Sequence, residues 1–367
     1  MTLSAVPLIH SPEEISDEWI TSVLRANGGL GSDEWAKAAE VASFGDAAGM
    51  IGELYRVHIT ATEGAEAPAT VVVKLATSDP LQRGVADALG FYHREITFYN
   101  RHTGDLPFGV PACYGAVQAE DSTDFVLIME DLGHLDQIDQ VAGATLDQAR
   151  RAISNIARFH AQWWNHPDLE AMGETFLPLS APIYQVALPG VFAGGWPTCK
   201  EKEGDNLSPE LVEFGDNYGK LLPFVLGELA TPPTLVHGDF RGDNILFDAA
   251  GTMHVVDFQI TGVANGLYDV AYFMCQSIAT DVRRGRDEEL IRLYVDSLAD
   301  AGVTDYGFDQ AMRLYRIAVA FCLIYAVTSF QSWDAFDGRQ HQLMSSMLRR
   351  TAQTTIDNNS LELLPRP

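Results

Sequence analysis

In the first third of the chain, short β-branched and apolar runs predict strands. Beyond it, apolar positions recurring at 3,4 spacing predict helices. Val41–Val57 (VASFGDAAGMIGELYRV) reads as strand, small-residue loop, strand, and Thr70–Leu75 (TVVVKL) as a β-branched strand. Val110–Val117 and Phe125–Met129 predict two more, joined by the acidic turn Glu120–Asp124. Phe125–Met129 is apolar without alternation, the pattern of a strand buried on both faces. Two helices are expected here. One starts at Ser11-Pro12-Glu13-Glu14, runs through Trp19 to about Arg25 and ends at Asn27-Gly28-Gly29. The other is Phe91–Asn100 (FYHREITFYN), facing a core. Further on, Leu146, Ala149, Ile153, Ile156, Phe159, His160 and Trp163 mark an amphipathic helix over Thr145–Trp164. Asn165–Pro233 is less regular, aromatic and punctuated by Pro and Gly. It reads as the wall of an apolar pocket or as a connector with core anchors, with Leu211–Leu229 helical at its end. Asp287–Leu298, Phe308–Phe330 and Gln340–Ile356 complete the helical part.

At 367 residues the chain can bury a large core and divide into two domains, predicted as 1–131 and 132–367. The longest apolar stretch, Ile317–Val327, is shorter than a bilayer span and predicts a buried helix. The opening MTLSAVPLIHSPEEIS has neither a basic region nor a long apolar run, so no signal peptide is expected. Cys113, Cys199, Cys275 and Cys322 are widely separated, which argues against a disulfide framework or zinc site and for a reducing cytoplasm. A net charge of −26 disfavours nucleic acid as a partner, and no membrane partner is expected. The same charge serves solubility or attracts a cationic acceptor. Only five lysines occur, so Lys74 inside an apolar strand stands out.

The chemistry concentrates in Leu235–Gln259, LVHGDFRGDNILFDAAGTMHVVDFQ. His237-Gly238-Asp239 forms a loop, Asn244 follows five positions later, and a turn at Asp248–Gly251 leads to a short strand that delivers Asp257. Phosphoryl transfer from ATP needs such a set: Asp239 to orient the acceptor hydroxyl and take its proton, Asn244 and Asp257 to hold magnesium. The order H-x-D, x4, N, hairpin, D-F is that of a kinase catalytic loop and metal loop. The alternative is an ordinary hairpin with acidic turn residues. Lys74 is expensive unless paired. In a kinase it holds the α- and β-phosphates and pairs with a helix glutamate, here Glu95; otherwise it is a lysine snorkelling from an edge strand. Gly45, Gly49 and Gly52 precede that strand and are candidates for close backbone approach to phosphates. Glu130 to Leu132, where the buried strand turns polar, is the candidate hinge whose backbone meets the adenine edge.

These residues resemble the aminoglycoside phosphotransferase and choline kinase superfamily, and Gln259 after Asp257-Phe258 leans towards its ecdysteroid-kinase-like branch. The Arg94-Glu95 and Phe98-Tyr99 pairs resemble the family helix, and Asp269 its brace on the catalytic loop. The resemblance implies a two-lobed, protein-kinase-like α+β fold, with a small antiparallel-sheet lobe and a larger, mainly helical one. It implies an ATP- and magnesium-dependent kinase of a small-molecule alcohol. Two other readings are a non-catalytic nucleotide-binding module and, less favoured, a protein kinase. Tyr268-Asp269 follows Asp257 too soon for an activation segment, no A-P-E follows, and Gly238 stands where protein kinases carry arginine. Arg241 and Asp243 depart from the usual loop. Arg241 is a candidate clamp for acceptor or phosphate, or a helix cap.

Overall fold

The run beginning at Thr70 forms a strand in the middle of a sheet. The structure, a computed structural model, describes residues 6–44 and 51–366. Five antiparallel strands, β1 (Ala36–Ser43), β2 (Gly52–Ala61), β3 (Thr70–Ala76), β4 (Cys113–Gln118) and β5 (Phe125–Glu130), lie in the order β1-β2-β3-β5-β4. On β3, Val71, Val73 and Leu75 point to one face and join Val126 and Ile128 of β5 in a core. Helix α1 (Asp17–Ala26) closes that core with Trp19, Ile20, Val23 and Leu24. Each such buried aliphatic side chain contributes about 1.5–3 kcal/mol. Lys74 points to the opposite face, towards Glu95 of α3 (Phe91–Arg101), which packs against α2 (Pro80–Ala88).

The start of α1 differs from expectation. Ser11 opens only a 3₁₀ turn, Pro12–Glu14, because Ile15 leaves helical geometry at φ −72°, ψ 81°. Ser16 is the cap: its backbone is extended, and its hydroxyl accepts a 3.1 Å bond from Trp19 N.

The chain divides into two units, Met1–Asp136 with Asp248–Ile260, and Gln137–Phe247 with Thr261–Pro367. A single cut at 131/132 therefore does not describe the organisation. Asp248–Ile260 joins the first unit because Gly109 N donates to Met253 O (2.8 Å) and Val255 N to Gly109 O (2.9 Å). Phe258 also stacks on Phe98 of α3, centroids 3.7 Å apart.

The second unit is mainly helical: α4 (Leu146–Gln162), α5 (Leu169–Met172), α6 (Pro182–Glu203), α7 (Pro209–Asp216), α8 (Tyr218–Glu228), α9 (Leu267–Ser277), α10 (Thr280–Arg283), α11 (Asp287–Asp300), α12 (Phe308–Ser329) and α13 (Gly338–Asp357). Helix α4 begins at a capping box between Thr145 and Gln148. The stretch expected to be irregular is helical instead: α6 continues through Pro189 and Pro197. Tertiary packing overrides the two prolines. Phe192 and Trp196 are buried, Phe192 stacks on Tyr218 at 4.0 Å, and α6 lies against α8 and α12. The segment Phe308–Ala335 is long and apolar enough to cross a membrane by length and composition, yet 72% of its most apolar window is buried. Helix α12, its main part, packs against α6, α8, α9, α11 and α13. Among the described residues the four cysteines form no disulfide.

Candidate active site

In the first unit, strand alternation brings Lys74 to α3. Its Nζ lies 3.0 and 2.8 Å from the two oxygens of Glu95, 2.9 Å from Asp257 Oδ1 and 3.4 Å from Gln259 Oε1. The side chains of Lys74 and Glu95 are 7% and 1% exposed, that of Asp257 26%. Burial pulls the Lys74 ammonium down, but Asp257 and Glu95 more than offset it and hold it well above lysine's usual value. Burial pushes the Glu95 carboxyl up to about 7, against the pull of Lys74. Asp257 sits at φ +68°, a left-handed conformation that costs a non-glycine residue about 1–3 kcal/mol. The following Phe258, fully buried against Phe98, holds it there.

Because Glu95 has its pKa raised from 4.5 to about 7, the folded protein binds more protons than the unfolded chain in that window. Its contribution to stability is complete below pH 4.5 and is lost as pH rises to about 7. In protein free of nucleotide and metal, Glu95→Gln should flatten the fall in unfolding free energy across this window. Denaturant titrations at a series of pH values check this, and an unchanged slope would contradict it.

In the second unit, the short strand Thr234–Val236 pairs antiparallel with Gly262–Ala264 and leads into the loop that carries Asp239 and Asn244. Asp269, fully buried on α9, accepts bonds from His237 N (2.7 Å) and Gly238 N (2.9 Å). His160 Nε2 lies 3.2 Å from Asp269, and its Nδ1 lies 3.0 Å from the Tyr294 hydroxyl. A carboxylate only accepts, so Nε2 carries a proton. Gly238, at φ +89°, turns the chain, and Tyr268 OH donates to its carbonyl at 2.7 Å. Asn244 ends a 3₁₀ turn (Gly242–Asn244) and donates Nδ2 to both Asp239 O and Oδ2, each at 2.9 Å. With its nitrogen used twice, Asn244 presents Oδ1 as the atom it can offer a cation. Arg241 Nε reaches Asp239 Oδ2 at 3.3 Å. Burial, together with the charge of Asp239, holds the Tyr272 hydroxyl well above its usual value. It therefore stays a proton donor.

Asp269→Asn tests the brace. One of its two acceptor oxygens becomes an amide, leaving a buried backbone N–H unpaired at a cost of about 1–3 kcal/mol. A matching loss of unfolding free energy, with lowered turnover, is expected. Wild-type stability would show that the loop holds itself.

The model of the phosphotransferase enzyme family (APH) matches residues 47–311. The chain belongs to this family. No curated protein matches the sequence. Among solved structures, choline kinase from Cryptosporidium parvum Iowa II is similar with a TM-score of 0.58 and 12% identity, covering 95% of this chain and 98% of that one. Plasmodium vivax ethanolamine kinase gives 0.53 and 11%, covering 94% and 91%. The GDP complex of wild-type aminoglycoside 2'-phosphotransferase-IIIa gives 0.52 and 16%, covering 88% and 94%. At such identities the likeness is one of fold, and this phosphotransferase has the two-part, sheet-plus-helical fold of those kinases.

Of the candidate residues in this phosphotransferase, Lys74, Glu95 and Asp257 meet in the first unit, and Asp239 and Asn244 meet in the second. Gly45 and Gly49 lie outside the described residues. Gly52 is in β2, where a Cβ would stand 2.9 Å from Lys74 Cε, so glycine leaves room for the lysine stem. The Glu130 N–H already donates to Ala112 O at 2.8 Å. That hydrogen bond removes the Glu130 N–H from the candidate hinge. Leu132 is buried. Sequence reasoning missed Gln259 as a neighbour of Lys74 and Tyr268 as a support of Gly238. Neither carries a spacing signal, since their partners are remote in sequence or on the backbone.

Proposed function

We propose that the protein transfers the γ-phosphoryl group of ATP to a hydroxyl of a small molecule. The single observation that carries this is the buried amine at the centre of a sheet. Lys74 is held by Glu95 and Asp257, a combination too costly to serve packing alone. A cation so fixed suits the α- and β-phosphates. Asp131 and Leu132 supply the backbone towards the adenine edge, and Gly45 and Gly49 the approach to the phosphates.

Asp257 and Asn244 Oδ1 are the oxygens assigned to magnesium. They fit it in kind, being hard donors in small number. Among the described residues no cluster of three His, Cys, Asp or Glu competes as a metal site. When bound, the ion neutralises phosphate charge. Asp239 orients the acceptor hydroxyl and takes its proton as the oxygen attacks phosphorus. Asn244 and Arg241 both hold Oδ2, and the Tyr272 hydroxyl bonds the same carboxylate. The new O–P bond forms as the bond to the β,γ-bridging oxygen breaks, and ADP leaves. Little covalent work is required of the protein beyond positioning and charge.

The test is transfer of labelled phosphate from ATP, with magnesium or with chelator, to a panel of aminoglycosides, macrolides, choline and sterols. Magnesium-dependent labelling of at least one alcohol is expected. A magnesium-dependent thermal shift with ATP but no transfer to any acceptor would favour the non-catalytic reading. Labelling of mixed proteins instead would favour a protein kinase.

A further inference from the structure

Resting on that reading, the geometry points to Arg241 as a catalytic residue that clamps the transferring phosphoryl group. Arg241 Nη1 is held by Asp243 Oδ2 at 2.8 Å and by Gln140 Oε1 at 3.3 Å, while Nε turns to Asp239 at 3.3 Å. The rear attachment is rigid. Asp243 accepts from Gln140 N at 3.3 Å, its own N–H donates back to Gln140 Oε1 at 3.3 Å, and its carbonyl accepts from Gln137 Nε2. Gln140 is fully buried, and its carbonyl accepts from Arg350 Nη1 at 2.6 Å.

The front attachment is the weaker one, and Asp239 does not depend on it. Its Oδ2 already accepts a 2.9 Å bond from Asn244. Among the described residues, Arg241 is the cation paired with Asp239.

During transfer, the acceptor oxygen bonds to phosphorus, the β,γ-bridging bond breaks towards ADP, and the hydroxyl proton moves to Asp239. The carboxylate that Arg241 faces thus becomes neutral as negative charge spreads over the phosphoryl oxygens. A guanidinium fork fixed from behind by Asp243 and Gln140 is placed to follow that charge from carboxylate to phosphoryl group. Its attraction is then greatest in the transition state, the condition for raising kcat. Asp243, the second acid in the loop, keeps the guanidinium charge-balanced between turnovers.

The experiment compares wild type, Arg241→Ala and Arg241→Lys as full-length proteins. It measures affinity for ADP with magnesium and aluminium fluoride, affinity for AMP-PNP, ATP turnover and Tm. Arg241→Ala should weaken the aluminium fluoride complex and lower kcat by about 100-fold each, with AMP-PNP affinity unchanged. Added guanidinium ion should restore part of the turnover. Unchanged affinity for the aluminium fluoride complex in a folded Arg241→Ala protein would overturn the clamp. If that variant does not fold, Arg241→Lys decides. A loss of about tenfold in the same affinity supports a forked contact, and no loss overturns it. Wild type that binds no aluminium fluoride complex and turns over no ATP would sink the phosphotransfer reading itself. An inactive Asp239→Asn beside an unimpaired Arg241→Ala would sink the clamp alone.

Discussion

Asp239→Asn is expected to lower kcat about 10³-fold while leaving nucleotide affinity and the fold unchanged. The amide keeps the shape of the side chain. Its oxygen still accepts from Asn244, so the 2.9 Å bond that closes the loop survives. What disappears is the capacity to take a proton. The backbone does not depend on the substitution, because Asp269 holds His237 N and Gly238 N, and Arg241 N donates to Asp239 O at 2.9 Å. The loss therefore falls on kcat and not on folding. Asp239→Ala should give the same kcat and, by removing one acceptor each from Asn244 and Arg241, a further loss of about 1 kcal/mol in stability. Steady-state transfer assays with nucleotide titration calorimetry separate the two quantities. A variant that keeps wild-type kcat would remove Asp239 from the chemistry.

Local information made part of this site legible. His237 to Asn244 spans one loop and a single turn, so the spacing of its polar residues states their geometry directly. The Lys74 strand is equally plain, because a lysine among Val71, Val72, Val73 and Leu75 either finds a carboxylate or breaks the core. Its partner Glu95 on α3 is legible through the resemblance of Arg94-Glu95 and Phe98-Tyr99 to the family helix. What stayed hidden depends on contacts between distant segments. Helix α6 forms through Pro189 and Pro197 because Phe192 and Trp196 have Tyr218, α8 and α12 to pack on, and no local propensity reports that. Asp248–Ile260 joins the first unit through backbone bonds to Gly109 and the Phe98–Phe258 stack, neither of which has a sequence signature. Arg241 was visible as an anomaly in the loop. Its meaning needed Gln140, a hundred residues earlier, to appear behind it.

Lys74→Met removes the cation from a site where Glu95 stays buried, and both activity and stability fall. Breaking one side of a buried pair costs about 3–5 kcal/mol, since the remaining charge has lost its partner and water does not reach it. Part of that cost is relieved by protonation. Without Lys74 the Glu95 carboxyl rises beyond about 7, so the variant protein folds with Glu95 neutral near neutral pH. The sign follows from the raised value: below the unfolded pKa of 4.5 Glu95 adds no difference between the two proteins, and above about 7 the gap widens with pH. Unfolding titrations of both proteins from acid to alkaline pH read this gap; a gap that narrows above neutrality would contradict it. The double variant Lys74→Met, Glu95→Gln separates stability from function. Replacing a whole buried pair is often neutral, so the double variant should regain most of the lost stability. Phosphate transfer should stay about 10³-fold down, because neither uncharged side chain can meet the α- and β-phosphates. Recovery of the fold without recovery of transfer is the outcome that would separate a pair kept for the nucleotide from one kept for packing.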